Sequence, residues 1–425
     1  MSKAKQVSIE VFAHWVGLLQ PVLVGILHAT PVRGKEIFSF EYEHDWLRGS
    51  QAHALDPSLQ LFQGIHYTPH GQENFGIFLD SSPDRWGRFL MKRREAELAR
   101  EEKREERKLL ESDYLLGVCD EQRIGGLRFR TDPEGPFLDN NKKRASPPWT
   151  CLRELEYASL EIEKNGAEKN KDYAKWLQML IAPGGSLGGA RPKASVMDEH
   201  KHLWIAKFPA NHDEFNIGAW EMVVCKLAHR AKITMAEAKI AKFNSGHHTF
   251  LSKRFDRTST LERIHFASAM TLLQRSDGDD ASNGASYLEL AEFIIRQGSQ
   301  AMQDLEQLWR RIVFYICISN VDDHLRNHGF ILQPAGWTLS PAFDVNPVAL
   351  GDGLKLNISE SDNSQDLELA KEVAEFFRIK HGRADEIIKE VTHSVKHWRH
   401  EATSLGILAK EQEQMARAFR IADNN

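Results

Sequence analysis

Apolar and polar positions follow strand spacing early in the chain and helical spacing late in it. Two uncharged stretches, Val11–Val16 and Val22–His28, lie on either side of a Gln-Pro turn and predict two buried strands. Apolar and polar side chains alternate from Phe38 to Tyr42, which predicts a half-buried strand. From Leu261 onward apolar residues recur mainly at helical spacing, with a polar surface loop at Ser276–Ala285. The pattern therefore predicts a strand-rich start and a helical end.

The middle of the chain alternates between the two patterns. The charged stretch Lys92–Lys108 predicts a solvated helix, and its mixed signs argue against nucleic-acid binding there. The turn-rich stretch Asp132–Pro148 predicts a linker and the first domain boundary. Further predicted elements are two helices, Leu152–Lys164 and Ala219–Ala231, two extended segments, His202–Phe208 and Leu251–Arg257, and three amphipathic helices after Asp366.

Composition narrows the class of protein. The 425 residues carry 55 Lys+Arg and 60 Asp+Glu, so the net charge is −5, and 41% hydrophobic residues suffice for two or three domain cores. This charge balance argues against bare nucleic acid as the main partner. Four widely spaced cysteines without a C-x-x-C pair predict reduced, cytosolic thiols. Val11–Val32 lacks charges, but its prolines and histidines argue against a signal peptide or membrane anchor.

The chemistry-bearing stretch is Ile316–Phe330. Asp322 and Asn327 have the D-x-x-x-x-N spacing of a kinase catalytic loop, in which Asp meets the substrate hydroxyl and Asn holds Mg²⁺. Asp344 follows a turn and an aromatic residue and is a candidate second metal ligand. One carboxylate and one amide beside ATP phosphates are a sufficient protein contribution for Mg²⁺.

Each of these residues also has an ordinary structural interpretation. A lone D-x-x-x-x-N occurs often by chance, and an Asp or Asn near glycine commonly forms a turn or a helix cap. His324 and His328 are expected to orient the loop by hydrogen bonds, because phosphoryl transfer depends mainly on positioning and charge stabilisation. The spacing alone therefore leaves both interpretations open.

A glycine-rich stretch, residues 184–193, lies upstream and could surround phosphate oxygens with backbone N–H groups, although it is equally compatible with a surface loop. Lys207 ends the next strand, where a kinase places its phosphate-binding lysine, and Glu221 on the following helix could pair with it. An exposed lysine and a solvent-facing glutamate are the alternatives. The order of glycine loop, lysine, glutamate, Asp-Asn and Asp favours a kinase.

These motifs together resemble the HipA-like toxin kinase family. The matching segments cover nearly the whole chain: Phe75–Gly87, Arg123–Phe129, Ser186–Ala194, Trp204–Pro209, Leu251–Arg257, Ser319–Gly329 and Leu339–Pro347. The resemblance implies an α+β, two-lobed protein-kinase-like fold with an extra strand-rich N-terminal subdomain and an all-helical C-terminal lobe. The implied domains are an N-terminal subdomain (1–140), the ATP-binding part of the N-lobe (150–258) and a helical catalytic lobe (259–425).

The resemblance also implies roles for individual residues. Asp322 would be the catalytic base, and Asn327 and Asp344 would bind Mg²⁺. ATP would be bound by a set drawn from the glycine loop, the strand lysine and the connector: Gly188, Gly189, Lys193, Lys207, Phe255 and Asp256. Ser186 matches a loop serine that such kinases phosphorylate in themselves, which switches the enzyme off. Lys253 stands where some members have glutamate, a departure that touches adenine contacts only.

The implied function is a serine/threonine protein kinase that acts as the toxin of a toxin-antitoxin pair in the cytoplasm. Its partner would be a HipB-like helix-turn-helix antitoxin, and operator DNA would be contacted through that partner. An aminoacyl-tRNA synthetase would be the type of substrate. The alternatives are a small-molecule kinase of the aminoglycoside or choline type and a non-catalytic module that only binds an antitoxin.

Overall fold

The computed structural model describes residues 6–139, 146–181 and 189–424. The chain divides into two compact units, and it passes between them three times. Unit 1 contains residues 1–211 and 254–267, and unit 2 contains residues 212–253 and 268–425. In the described ranges, none of the helices combines the length and apolar character that a bilayer span requires. The three-domain division predicted from the sequence stays a prediction.

Unit 1 combines a sheet, a hairpin and six helices within its described residues. In chain order its elements are β1 (Val7–Ala13), β2 (Val22–Val32), β3 (Lys35–Tyr42), α1 (His44–Arg48), β4 (Ile65–Tyr67), α2 (Gly76–Asp80), α3 (Arg85–Glu101), α4 (Glu111–Leu116), β5 (Leu127–Arg130), α5 (Leu152–Ile162), α6 (Tyr173–Ile181), β6 (Lys193–Met197) and β7 (Leu203–Lys207). A further strand, β10 (Phe266–Ser268), begins in the last two residues of unit 1.

The first five strands form one antiparallel sheet in the order β4-β3-β2-β1-β5. Its inward residues include Ile9, Leu27 and Phe38, all with no exposed surface, and they alternate with exposed positions. Gly25 lies opposite Tyr42 in the antiparallel pair β2–β3, and a Cβ there would come within 2.2 Å of the Glu41 carbonyl oxygen. Close strand packing thus requires glycine at this position.

The predicted N-terminal strands are present with shifted ends. β1 spans Val7–Ala13, whereas the predicted strand began at Val11. The uncharged stretch stops at Glu10, but the strand continues through this residue because Glu10 is only partly buried and a half-buried strand tolerates a charge on its outer side. The chain turns after Trp15 at Gly17, whose φ is +96°. The uncharged stretch therefore predicted that two strands exist but did not predict where each of them begins and ends.

The predicted charged helix is displaced toward the N-terminus. Asp84 caps α3 by accepting from the Gly87 amide at 2.8 Å, and the buried Trp86 and Leu90 lie in its first turns. The helix ends at Glu101, and Lys103 adopts a left-handed φ of +52°. The prediction of helix up to residue 108 was wrong because charge periodicity continues after the backbone has turned.

Unit 2 is predominantly helical. Its elements are α7 (Ile217–Arg230), β8 (Ala238–Lys242), β9 (His248–Lys253), α8 (Ala269–Leu272), α9 (Tyr287–Gln297), α10 (Ala301–Ile318), β11 (Gly329–Gln333), β12 (Gly336–Leu339), α11 (Leu367–Glu372), α12 (His381–Val395), α13 (Trp398–Ser404), α14 (Ala409–Met415) and α15 (Arg420–Asn424). β8 pairs with β9, and β11 pairs with β12, both antiparallel.

Two details of unit 2 differ from the expectation. The described C-terminal segment has five helices after Asp366 instead of three, because left-handed residues at Arg378 and Gly406 interrupt the helical run. The helical C-terminal part also contains the hairpin β11–β12, which the prediction of an all-helical lobe omitted. Pro334 and Ala335 make that hairpin's two-residue turn, and Gly336, which follows them at the start of β12, has a φ of +131°.

Helix α10 is the core of unit 2. Every residue from 308 to 320 is buried, including Cys317, whose thiol pKa burial raises to about 12. A helix segment that is buried on all sides needs neighbours on all sides, and the contacts of α10 include α9, α11, α12 and α15. The candidate catalytic segment follows directly from its C-terminal end.

Candidate active site

The catalytic segment is fixed where α10 ends. Ser319 is the C-terminal cap and has a left-handed φ of +50°. Its hydroxyl donates to the Ala418 carbonyl at 2.9 Å, and the Arg420 guanidinium donates to that hydroxyl at 3.0 Å. The chain therefore leaves the helix at a position held by the C-terminal residues of unit 2.

Asp322 and Asn327 come together in a tight loop. The His324 amide and the Asn327 side-chain amide both donate to the Asp322 carbonyl oxygen, at 2.9 and 3.2 Å. Asp322 itself is exposed, whereas Asn327 is only 4% exposed. The predicted base thus faces solvent, and the predicted metal ligand lies beneath it.

Asp323 has the opposite environment to its neighbour Asp322. It is 1% exposed, and its Oδ2 is bonded to the Tyr287 hydroxyl at 2.8 Å and to the His328 Nε2 at 2.6 Å. The sequence predicts that His328 orients the loop, but it gives no role to Asp323 or Tyr287. Two adjacent aspartates carry no sequence signal that says which one is buried.

The hairpin β11–β12 connects the catalytic segment to Asp344. β11 begins two residues after Asn327, and β12 ends five residues before Asp344. The Ser340 amide donates to the Gly329 carbonyl at 2.9 Å, so the two segments start side by side at the same end of the hairpin. The buried Arg311 guanidinium also holds the Ser340 carbonyl at 2.6 Å.

Asp344 is presented by an unusual backbone conformation. Its φ of +56° lies in the left-handed region, which costs free energy for a residue other than glycine and often marks a functional site. The Asn346 side-chain nitrogen lies 3.5 Å from the Asp344 Oδ1. The Asn346 Oδ1 is buried and has no hydrogen-bond partner. Asn346 is thus a further polar residue at the site, and the motif spacing did not predict it.

The residues present fit a Mg²⁺ ion. The buried Asn327 Oδ1 has no hydrogen-bond partner, and leaving such an oxygen unsatisfied costs about 1–3 kcal/mol. An amide oxygen and a carboxylate are the oxygen ligands that Mg²⁺ prefers. Asn327 and Asp344 therefore form a suitable donor set.

The end of the glycine-rich stretch is tied to the start of α3. Lys193 is 3% exposed, and its ammonium donates to the Asp84 Oδ2 and to the Gly189 carbonyl, each at 2.7 Å. The Trp86 indole donates to the Lys193 carbonyl at 3.0 Å. Lys207 lies opposite Lys193 in the antiparallel pair β6–β7. Ser186 and Gly188, the remaining predicted loop residues, lie outside the described residues.

Asp256 anchors the connector after β9. Its carboxylate accepts from the Arg254 and Arg257 guanidinium groups at 2.6 Å and from the Gly125 amide at 2.9 Å. Although burial alone would raise it, the pKa of Asp256 lies well below its usual range because of these two arginines. Phe255 is half-buried, with its ring 6.0 Å from that of Phe266. The nucleotide contacts predicted for Phe255 and Asp256 stay predictions.

Two further predicted positions lie in unit 2. Glu221 is buried on α7, and its pairing with Lys207 stays a prediction. Lys253 lies 3.4 Å from the Glu237 carboxylate. The structure thus gathers Asp322, Asn327 and Asp344 around one hairpin of unit 2.

A solved structure shares this fold. The HipA protein in the Shewanella oneidensis MR-1 complex of HipA, HipB and operator DNA matches with a TM-score of 0.63 at 17% identity, covering 97% of this chain and 95% of that one. The match confirms the predicted fold class. The proinflammatory kinase CtkA of Helicobacter pylori matches with a TM-score of 0.35 at 14% identity, covering 55% of this chain and 94% of that one.

Sequence comparison identifies the family. A Haemophilus influenzae protein named "Putative kinase" is 24% identical over an alignment of 179 positions that covers 38% of this chain, and the chain spans about half (52%) of that relative's length. The model of the HipA-like C-terminal domain matches residues 185–398, half of the chain. The resemblance found in the sequence is thereby confirmed, and the chain belongs to the family with a HipA-like C-terminal domain.

Proposed function

We propose that this protein is an ATP- and Mg²⁺-dependent serine/threonine protein kinase. The observation that carries the proposal is the pairing of an exposed Asp322 carboxylate with a buried, unpartnered Asn327 Oδ1 in one short loop. Phosphoryl transfer needs an acceptor for the hydroxyl proton and a metal ligand close to it. This loop supplies both.

In the proposed reaction, the substrate hydroxyl oxygen attacks the γ-phosphorus of ATP, and ADP leaves. Asp322 accepts the hydroxyl proton, and its exposure lets a protein substrate reach it. Asn327 and Asp344 supply the oxygen ligands for Mg²⁺. The metal, when bound, neutralises the charge that develops on the phosphate oxygens.

The nucleotide would be bound by residues of unit 1. Lys207 supplies a positive charge for the ATP phosphates, Gly188 and Gly189 supply backbone amides, and Phe255 lies beside the adenine. Lys193, held by Asp84, sets the end of the glycine-rich stretch. A phosphate on Ser186 would add a charge of about −1.5 to −2 where the ATP phosphates bind, so self-phosphorylation would inhibit the enzyme.

The biological role we propose is growth arrest by the toxin of a cytoplasmic toxin-antitoxin pair. The partner would be a small helix-turn-helix protein of the HipB type, which would carry the contact with operator DNA. The Shewanella relative, solved with HipB and operator DNA, supports this assignment. An aminoacyl-tRNA synthetase is the type of substrate we propose.

The test is transfer of label from [γ-³²P]ATP in a cell extract. We expect label on protein, loss of transfer with a metal chelator, and loss of transfer in Asp344→Asn. Label found only on small alcohols would replace the protein kinase by a small-molecule kinase. Absence of both transfer and MgATP binding would contradict the proposal and favour a module that only binds an antitoxin.

A further inference from the structure

Asp323, the buried aspartate beside Asp322, has no direct part in the phosphoryl transfer proposed above. Asp323 is 1% exposed and lies at the centre of a buried group with Tyr287 and His328, neither of which has exposed surface. Taking a carboxylate out of water is costly unless hydrogen bonds replace the lost hydration. Such a group persists where it holds a specific arrangement in place.

Both partners donate to the same carboxylate oxygen, Oδ2. Burial and the nearby Asp323 raise the pKa of Tyr287 well above its usual value, so the Tyr287 hydroxyl stays protonated and donates. A carboxylate oxygen only accepts, so the His328 proton lies on Nε2. The His328 Nδ1 is buried without a hydrogen-bond partner, so the bond from Nε2 to Asp323 is the one that orients the ring.

These bonds hold the two ends of the catalytic segment. Asp323 directly follows Asp322, and His328 directly follows Asn327, so the bond between Asp323 and His328 closes the loop behind the two active residues. The His328 carbonyl accepts from the Ala269 amide at 2.8 Å, and the Tyr287 amide donates to the Asn357 carbonyl at 2.9 Å. The loop is thereby attached to the first turns of α8 and α9.

We propose that Tyr287 and His328 are positioning residues for phosphoryl transfer, acting through Asp323 on the orientation of Asp322 and Asn327. The inference rests on the proposed kinase function, in which Asp322 accepts the proton and Asn327 binds the metal. Neither positioning residue touches the substrate. Small displacements of a base and a metal ligand reduce the rate strongly, since the reaction depends on their geometry.

The experiment compares Tyr287→Phe and His328→Leu with matched variants elsewhere. Tyr42 is a buried tyrosine whose hydroxyl donates over the same 2.8 Å, to the Leu59 carbonyl, and His66 is a buried histidine whose Nε2 lies 2.8 Å from the Gln60 carbonyl. Tyr42→Phe and His66→Leu therefore remove equivalent bonds from unit 1. We expect kcat to fall roughly 10- to 100-fold in the site variants only, with an unchanged KM for ATP.

A conservative replacement separates positioning from packing. Glutamine can place a side-chain N–H near the position of the histidine Nε2, so His328→Gln should recover much of the kcat that His328→Leu loses. The second readout needs no activity. Hydrogen–deuterium exchange of the His324 and Asn327 amides should be faster in Tyr287→Phe than in Tyr42→Phe, because the loop they close is less firmly held.

The outcomes of the two proposals can be told apart. Equal kcat and equal amide exchange in Tyr287→Phe and Tyr42→Phe, in an active wild-type background, overturn the positioning role and leave the kinase assignment intact. A wild-type protein without transfer overturns the kinase assignment. The exchange measurement then still decides whether Asp323 and its two partners hold the loop.

Discussion

Neighbouring residues of the catalytic segment differ more in environment than in chemistry. Asp322 is exposed, and Asp323 is buried between Tyr287 and His328. The D-x-x-x-x-N spacing was sufficient to select Asp322 and Asn327 as candidates. The role of Asp323 was not predictable, because both donors come from positions whose proximity depends on the folded arrangement of α9 and β11.

Asn327 allows a prediction about metal affinity. Asn327→Ala removes the buried, unpartnered Oδ1. The affinity for Mn²⁺ should fall by more than roughly tenfold, because losing a residue that only supports a metal ligand already lowers metal affinity about 10- to 100-fold. The affinity can be measured by electron paramagnetic resonance in the presence of a non-hydrolysable ATP analogue. The free energy of unfolding should fall by only about 0.5–1.5 kcal/mol, because the variant also loses the one hydrogen bond that the Asn327 side-chain nitrogen donates to the Asp322 carbonyl.

The control for this prediction is Asn357→Ala. Asn357 is an equally buried amide of unit 2 that donates to the Ala281 carbonyl at 3.0 Å. It should leave Mn²⁺ affinity unchanged. Unchanged affinity in Asn327→Ala would remove this residue from the metal site.

Periodicity located the helices and strands, and local backbone chemistry set their ends. The prediction placed a helix at Lys92–Lys108, whereas α3 spans Arg85–Glu101. The Asp84 cap begins the helix earlier, and Arg104 and Arg107 then turn back to bind the buried Glu95. This reversal of the chain after α3 depends on the burial of Glu95, which charge spacing along the sequence does not reveal.

The link between α3 and the glycine-rich stretch allows a second prediction. Lys193→Met and Asp84→Asn each break a buried ion pair, which should lower the free energy of unfolding by about 3–5 kcal/mol. Asparagine still caps α3, so Asp84→Asn removes mainly the charge. Urea unfolding of the single and double variants should give a double-variant loss smaller than the sum.

The same variants separate two roles for Lys193. If Lys193 sets the end of the glycine-rich stretch through Asp84, both single variants should weaken ATP binding in calorimetry. Weakening by Lys193→Met alone would instead indicate direct contact between Lys193 and the nucleotide. The matched control for the urea-unfolding experiment is the more exposed ion pair Arg100–Glu97 within α3. The coupling free energy of that pair should be only about 0.3–0.5 kcal/mol.

At the scale of the molecule, the sequence was enough to predict the fold class and the order of the motifs. The pattern could not show that the chain passes between two units three times, since the connector of residues 254–267 belongs to unit 1. The reason is visible at Asp256, whose partners include Gly125, more than a hundred residues earlier. Long-range pairing of this kind leaves no periodic trace in the sequence.

Stability should depend on pH through His265. Burial lowers the pKa of His265 to about 3, and its ring stacks on Trp15 at 4.7 Å. The unfolded chain binds a proton below about pH 6.5 and the folded one only near pH 3, so stability falls on acidification between these values. His265→Phe keeps a ring on Trp15 and should flatten this dependence by about 1.4 kcal/mol per pH unit.

The measurement is urea unfolding from pH 7.5 to pH 5. The slopes of wild type and His265→Phe should agree above pH 7 and diverge below pH 6. Parallel curves over the whole range would contradict a buried, neutral His265.

We propose that Asp322 is the residue that accepts the substrate proton in a protein kinase. The most direct measurement is transfer of label from [γ-³²P]ATP to protein by wild type, Asp322→Asn and Asp352→Asn, the last at an aspartate whose side chain is 86% exposed in the same unit. We expect transfer by Asp322→Asn to fall roughly 10²- to 10⁴-fold with an unchanged unfolding midpoint, and Asp352→Asn to behave as wild type. Full transfer by Asp322→Asn would contradict the role of Asp322 as the proton acceptor.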